Sequence, residues 1–145
     1  MESKETKLAL YLFLLLGLGL TSCNKDDKTD LPLNSILEKT WTLKSVQNTN
    51  SLQILYFPDI PTKLTIEFAE NKILNFIGIC NSGGGNYDLE NNKITITSLI
   101  TTEVFCSNIE WEEITVQSLP KAKRFELTGN KLIIYCEDSY NLVFE

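Results

Sequence analysis

Leu64-Thr65-Ile66-Glu67-Phe68 alternates apolar and polar side chains, and the same beat returns along the chain. Trp41 and Leu43 flank Thr42, Ile94 and Ile96 flank Thr95, and Phe125 and Leu127 flank Glu126. A period of two is that of a strand with one buried and one wet face, and such strands belong to antiparallel sheets. The links between them are short. Glu70-Asn71-Lys72, Asn91-Asn92 and Gly129-Asn130 carry the residues that accept turn conformations, which suits hairpins. Parallel neighbours would need crossovers of about a dozen residues or more.

Leu132-Ile133-Ile134-Tyr135 is apolar on both faces, which places it centrally in the sheet or beneath a loop. One helix is expected near residues 108–118. Ser107-Asn108-Ile109-Glu110 has the pattern of a capping box, with Ser107 as N-cap, and Pro120 limits the far end. The fold class is therefore mainly β: a small antiparallel β barrel or sandwich with one short α-helix.

The chain begins differently. Lys4 and Lys7 precede a stretch, residues 8–20, that is apolar apart from its glycines. It is shorter than the roughly 20 residues that cross a bilayer and fits the apolar core of an export signal. Leu20-Thr21-Ser22-Cys23 looks like a lipobox, in which an aliphatic and two small residues precede a cysteine. Residues 1–22 are expected to be cleaved, and Cys23 to carry lipid such as palmitate. Two or three acyl chains would hold durably where one holds marginally. Residues 23–36 then form the lipidated cysteine and a tether. Its segment Asn24-Lys25-Asp26-Asp27-Lys28-Thr29-Asp30 is polar and free of aromatics, a composition that favours disorder. Lys25-Asp26-Asp27 resembles the surface-export signal of lipoproteins in Bacteroidota-type Gram-negative bacteria. The expected location is the outer membrane, on the cell surface or the periplasmic face.

Residues 37–145 suit one domain with one core. The net charge is −6 and the chain has no histidine. The acidic balance argues against nucleic acid as a partner. Lack of histidine removes the usual general base, metal ligand and partner of a nucleophile. Besides Cys23 there are Cys80, Cys106 and Cys136. In an oxidising compartment these imply one disulfide and one thiol left over. No CxxC pair supports a zinc or thioredoxin-like site.

The middle of the chain resembles the META/HslJ-like domain of bacterial envelope lipoproteins and heat-shock proteins. Trp41-Thr42-Leu43, the strand at residues 64–68, Gly78-Ile79-Cys80-Asn81, Gly83-Gly84-Gly85, Asn86-Tyr87, Thr101-Thr102 and Cys106 carry the likeness, followed by the helix and the last strands. It spans about residues 37–144. Glu103 stands where the family often has a basic residue, Phe105 where a small one is common, and Cys136 is an added thiol. The resemblance implies a small β barrel or sandwich with a helix, and an association with heat shock, envelope stress and drug tolerance. It implies no defined chemistry. Within its cysteine block, Cys80 and Cys106 are the expected disulfide, worth ~3.5 kcal/mol by chain entropy. Cys136 is then expected to be buried and inert.

Candidate sites are weighed against plainer roles. Gly83-Gly84-Gly85 lacks the following helix and lysine of a phosphate loop and is expected to be a tight turn with positive φ. Cys106 precedes a helix start, yet no histidine completes a catalytic thiol. Glu110, Glu112 and Glu113 are expected as helix-end charges on a wet face. Asp26, Asp27 and Asp30 lack calcium-loop spacing. Catalytic residues, metal ligands and cofactors are thus not expected. Ile54, Leu55, Tyr56 and Phe57, within an apolar stretch at residues 52–58, form a candidate binding lip. The expected function is a non-enzymatic envelope binding or structural module. Its membrane contact is the N-terminal lipid, and its partner is an envelope protein. The alternatives are a lipocalin-like carrier of a small apolar ligand in the barrel interior and, last, an enzyme of unrecognised type.

Overall fold

A computed structural model describes residues 35–137 and 139–145. The expected signal segment, Cys23 and the part of the expected tether before residue 35 lie outside them. Strands run in the order β1 (Thr40–Asn48), β2 (Ile54–Tyr56), β3 (Thr65–Phe68), β4 (Ile73–Ile77), β5 (Ser82–Glu90) and β6 (Lys93–Thr101). Helix α1 (Ile109–Ser118) and a 3-10 turn (Leu119–Lys121) follow, then β7 (Ala122–Thr128), β8 (Lys131–Cys136) and β9 (Tyr140–Phe144).

All strand pairings are antiparallel. β1 pairs with β3, the chain of neighbours runs on through β9, and β9 pairs back with β1. The sheet thus closes on itself as a barrel rather than a sandwich. β2 stands outside the ring, paired with residues 45–47 of β1 beyond the end of β3. The seam between β6 and β7 is the loosest, held by a single paired position, Lys93 with Arg124. Closure abolishes most sheet edges, and here the exceptions are β2 and the far half of β6.

The alternating positions fill the interior. Trp41, Leu43, Leu64, Ile66, Phe68, Ile94, Ile96 and Phe125 are buried as their period requires, joined by Phe76, Leu132, Ile134, Leu142 and Phe144. Leu132 and Ile134 are inside, while Ile133 and Tyr135 are half-buried outside, with the Arg124 guanidinium stacked over the Tyr135 ring. Trp41 satisfies its indole N–H on the Ile36 carbonyl at 3.0 Å, so Ile36, placed in the tether by sequence, is part of the core. Tyr87 lies edge-on to Phe68 and donates its hydroxyl to Ala69 O at 2.6 Å. Its pKa is raised by burial, and secondarily by Glu38 and Glu70.

The barrel has two unlike ends. One carries the hairpins after β3, β5 and β7, where Lys72, Asn91 and Gly129 take positive φ. The chain enters at this end too: Glu38 N–H bonds Phe68 O, and Lys39 Nζ reaches Asn130. The other end receives β1, β4, β6 and β8 as they finish, and α1 lies across it.

Gly83-Gly84-Gly85 corrects the sequence reading. It is not a turn. All three glycines lie within β5, paired with β4 on one side and β6 on the other. Their φ values are not positive, and what demands glycine is close approach. A Cβ on Gly83 would land on the carbonyl of Ile100, and one on Gly84 or Gly85 would lie 2.7 or 2.8 Å from the carbonyl of Leu74 or Thr97. Opposite them β6 bulges, with the register shifting between Gly84 and Asn86 and Ser98 at positive φ. A bulge of this kind sharpens the local twist.

Helix α1 also departs from expectation. Its N-cap is Asn108, in the left-handed region, with no side-chain cap bond, so the Ser107–Glu110 capping box does not form. Pro120 sits in the 3-10 turn that continues the helix. The buried stripe is polar: Glu112, Thr115 and Ser118. Thr115 and Ser118 donate their hydroxyls to carbonyls four residues back, at 2.8 and 2.6 Å, which lets small polar residues go inside without orphaned groups.

Candidate functional site

The helix-bearing end of the barrel holds the most elaborate polar construction among the described residues. Cys80 and Cys106 are joined as a disulfide, as expected. Beside it, Glu112 is only 3% exposed. Its Oε2 accepts from the backbone N–H groups of Cys80 and Asn81 at 3.1 and 3.3 Å, and its Oε1 accepts from Asn81 Nδ2. The reading of Glu112 as a wet helix-end charge is therefore overturned. Its carboxylate closes the 78–81 turn from within. Glu110 and Glu113 are exposed, as expected.

Gly78 explains the fit. A Cβ there would fall on Glu112 Oε2 and within 2.9 Å of its Cγ, so the acid reaches the turn because residue 78 has no side chain. Asn81 carries the network onward. Its Oδ1 accepts from Thr102 Oγ1 at 2.9 Å and Val104 N at 2.6 Å, and its Nδ2 donates to Val104 O at 2.9 Å. Thr102 Oγ1 also accepts from Ser82 N at 3.2 Å. One buried amide and one buried carboxylate thus tie the β4–β5 turn, the segment after β6 and helix α1 into a single body. Sequence reasoning saw Gly78, Cys80, Asn81, Thr102 and Cys106 as a pattern but missed the acid that unites them.

This frame presents an apolar loop to solvent. Phe105 is 89% exposed and Val104 is 56% exposed. Between residues 101–105 and α1 runs a groove of about 310 Å³. Val104, Phe105, Ile109 and Val116 give it apolar walls, and Glu103 and Glu113 stand at its rim.

The candidate lip of the sequence is divided by β2. Ile54 and Tyr56 point outward, at 49% and 75% exposure, while Leu55 and Phe57 pack against the core. Phe57 meets Trp111 edge-on at 5.5 Å between centroids, so it braces the helix rather than forming a free lip.

The third thiol, Cys136, is buried and unpaired. Burial pushes it up to about 12 from an ordinary 9.0, with Lys121 pulling slightly the other way. A thiol so far above neutrality is a poor nucleophile, in keeping with the inert role expected.

The sequence pattern of the META domain matches residues 34–145. The chain belongs to the META domain family. The Gly78-to-Glu112 network thus lies within a META domain from end to end. Among curated proteins none matches in sequence. Solved structures resemble this META domain in fold. An NMR structure of a protein from Burkholderia xenovorans has a TM-score of 0.65 at 16% identity, covering 76% of this chain and 82% of its own. A crystal structure of a DUF4847 family protein from Bacteroides vulgatus has a TM-score of 0.53 at 14% identity, covering 77% and 94%. At such identities these likenesses speak for the META fold alone.

Proposed function

We propose that this META domain is the exported, outer-membrane-anchored part of a lipoprotein, lipid-modified at Cys23, and that it is a non-enzymatic module. Its role is to dock an envelope protein through the helix-bearing end of the barrel. One observation carries the reading. Phe105 is held almost fully in solvent on a segment pinned by the Cys80–Cys106 disulfide and by the Asn81 bonds to Val104. An apolar group fixed in water, rather than free to fold back, favours a surface that is covered in use. The N-terminal signal pattern supports export into the oxidising setting that this disulfide needs.

The interior favours docking over carriage. Trp41, Phe68, Phe76 and Phe144 fill the barrel with full burial, so an internal apolar ligand would have to displace them. A photo-crosslinking residue in place of Phe105, in intact cells, tests the reading. A discrete protein adduct is expected at this position and not at Glu90, at the opposite end. Adducts of equal yield at both positions, or none at either, would remove the docking role.

A further inference from the structure

The groove beside Phe105 has a second property, which lies in the main chain. β6 is paired along its length with β5, but β7 meets it only at Lys93. Its other edge is therefore without a strand towards Thr101, and the segment beyond continues that edge. Thr102 N–H bonds Ser82 O, while Val104 N–H and C=O both bond the Asn81 side chain. These alternate residues face β5. The residues between them face the groove, and the backbone N–H and C=O of Glu103 and Phe105 have no hydrogen-bond partner among the described residues. Such a row of spaced donors and acceptors is what an added strand takes up.

The side chains around that edge specify the strand. Val104, Phe105, Ile109 and Val116 offer apolar contact, and Ile109, Glu113 and Val116 share one face of α1 at helical spacing. Glu103 and Glu113 form no ion pair with any described residue, and no lysine or arginine lines the groove. Glu112, beneath them, is already satisfied by donors from the turn. The uncompensated charge at the rim is therefore acidic.

We propose that residues 101–105 accept an extended segment of a partner protein, with lysine or arginine beside apolar side chains, as an added β-strand facing α1. This rests on the docking role proposed above and names the chemistry of the partner. The main chain would supply register, the apolar walls would take alternate side chains, and Glu103 and Glu113 would select for positive charge.

The test uses the full-length chain, purified from the cell fraction in which it accumulates. The probe is a fluorescein-labelled peptide of alternating valine and lysine, about eight residues and roughly 27 Å long when extended. Saturable binding by fluorescence polarisation is expected. Replacing the lysines with glutamate should weaken it by at least ~3-fold. Methylating alternate backbone nitrogens, which removes donors without altering charge, should weaken it by at least ~5-fold. In the double variant Glu103→Gln, Glu113→Gln, the preference for lysine over glutamate should vanish and the salt dependence should flatten. Both glutamates are exposed, and an unchanged melting curve confirms that the variant is folded. Equal affinity for the lysine and glutamate peptides, equal affinity after methylation, or no saturable binding at all overturns the proposal. Any of these alongside a specific adduct through Phe105 removes strand addition alone and leaves docking in place. Loss of the adduct as well removes both.

Discussion

Gly78 and Glu112 compete for one volume, which makes their energies strongly dependent on each other. Consider Glu112→Ala. Two backbone N–H groups, at Cys80 and Asn81, lose their acceptor, at about 1–3 kcal/mol each when left buried and unpaired. One methylene, Cγ, leaves the packed interface, at about 0.8 kcal/mol. Asn81 Nδ2 keeps its bond to Val104 O, so little is added there. These terms sum to about 3–7 kcal/mol, and the range for breaking a buried charged network, about 3–5 kcal/mol, sets the expected loss at the lower part of that span. Now consider Gly78→Ala. The new methyl would sit on Glu112 Oε2, so the carboxylate must leave and the same bonds are lost, again about 3–5 kcal/mol. In the double variant the methyl occupies space already vacated. It should cost no more than Glu112→Ala alone, giving a coupling of about 3 kcal/mol or more in a double-mutant cycle. Urea unfolding followed by tryptophan fluorescence measures all four corners, since Trp41 is buried in the core and Trp111 lies on α1. Losses that simply add would refute the steric argument and the role given to Glu112.

Three further outcomes are expected. Cys80→Ser with Cys106→Ser should lower unfolding free energy by about 3.5 kcal/mol, from a separation of 26 residues; non-reducing peptide mapping that joins Cys136 to either partner would contradict the pairing. Cys136 should resist iodoacetamide in the folded protein at pH 8 and react in urea. Because its folded pKa is raised, from 9.0 to about 12, its contribution is complete below pH 9. It then falls by up to about 1.4 kcal/mol per pH unit as pH rises towards 12. Cys136→Ala should therefore lose less stability than the parent between pH 8 and pH 10.5 in urea titrations; identical losses would count against the burial argument. Cys23→Ala should accumulate as a longer precursor without acyl label, and a mutant still cleaved after residue 22 and still labelled would exclude lipidation there.

How much of this was legible in the sequence depended on whether a residue's reason was local. Trp41, Leu43, Leu64, Ile66 and Phe68 declared their face through period alone, and Asn91 and Gly129 marked hairpins because positive φ selects those residue types. Closure into a barrel was not legible, because the pairing of β1 with β9 joins the two ends of the domain. The Gly83–Gly85 run was misread because glycine answers two demands, free φ and close approach, and the second is set by carbonyls on β4 and β6. Glu112 was misread for the opposite reason. A glutamate among glutamates on a helix looks solvated, and only the missing side chain at Gly78 makes room for it inside. Period two separates Leu55 and Phe57 from Ile54 and Tyr56, but residues 54–57 are all apolar or aromatic, so no alternation announces which of them face the core.

The arrangement of the two ends of the barrel bears on reach. The chain enters beside the hairpins, where Glu38 and Lys39 touch Phe68 and Asn130, whereas Phe105 and α1 lie at the opposite pole. A lipid on Cys23, as proposed, would therefore pull on the hairpin pole. Phe105 would then face outward, a barrel's length of roughly 25 Å beyond the point where the chain enters the barrel. A domain so attached would present that surface to the space away from the bilayer, whatever the span between lipid and barrel.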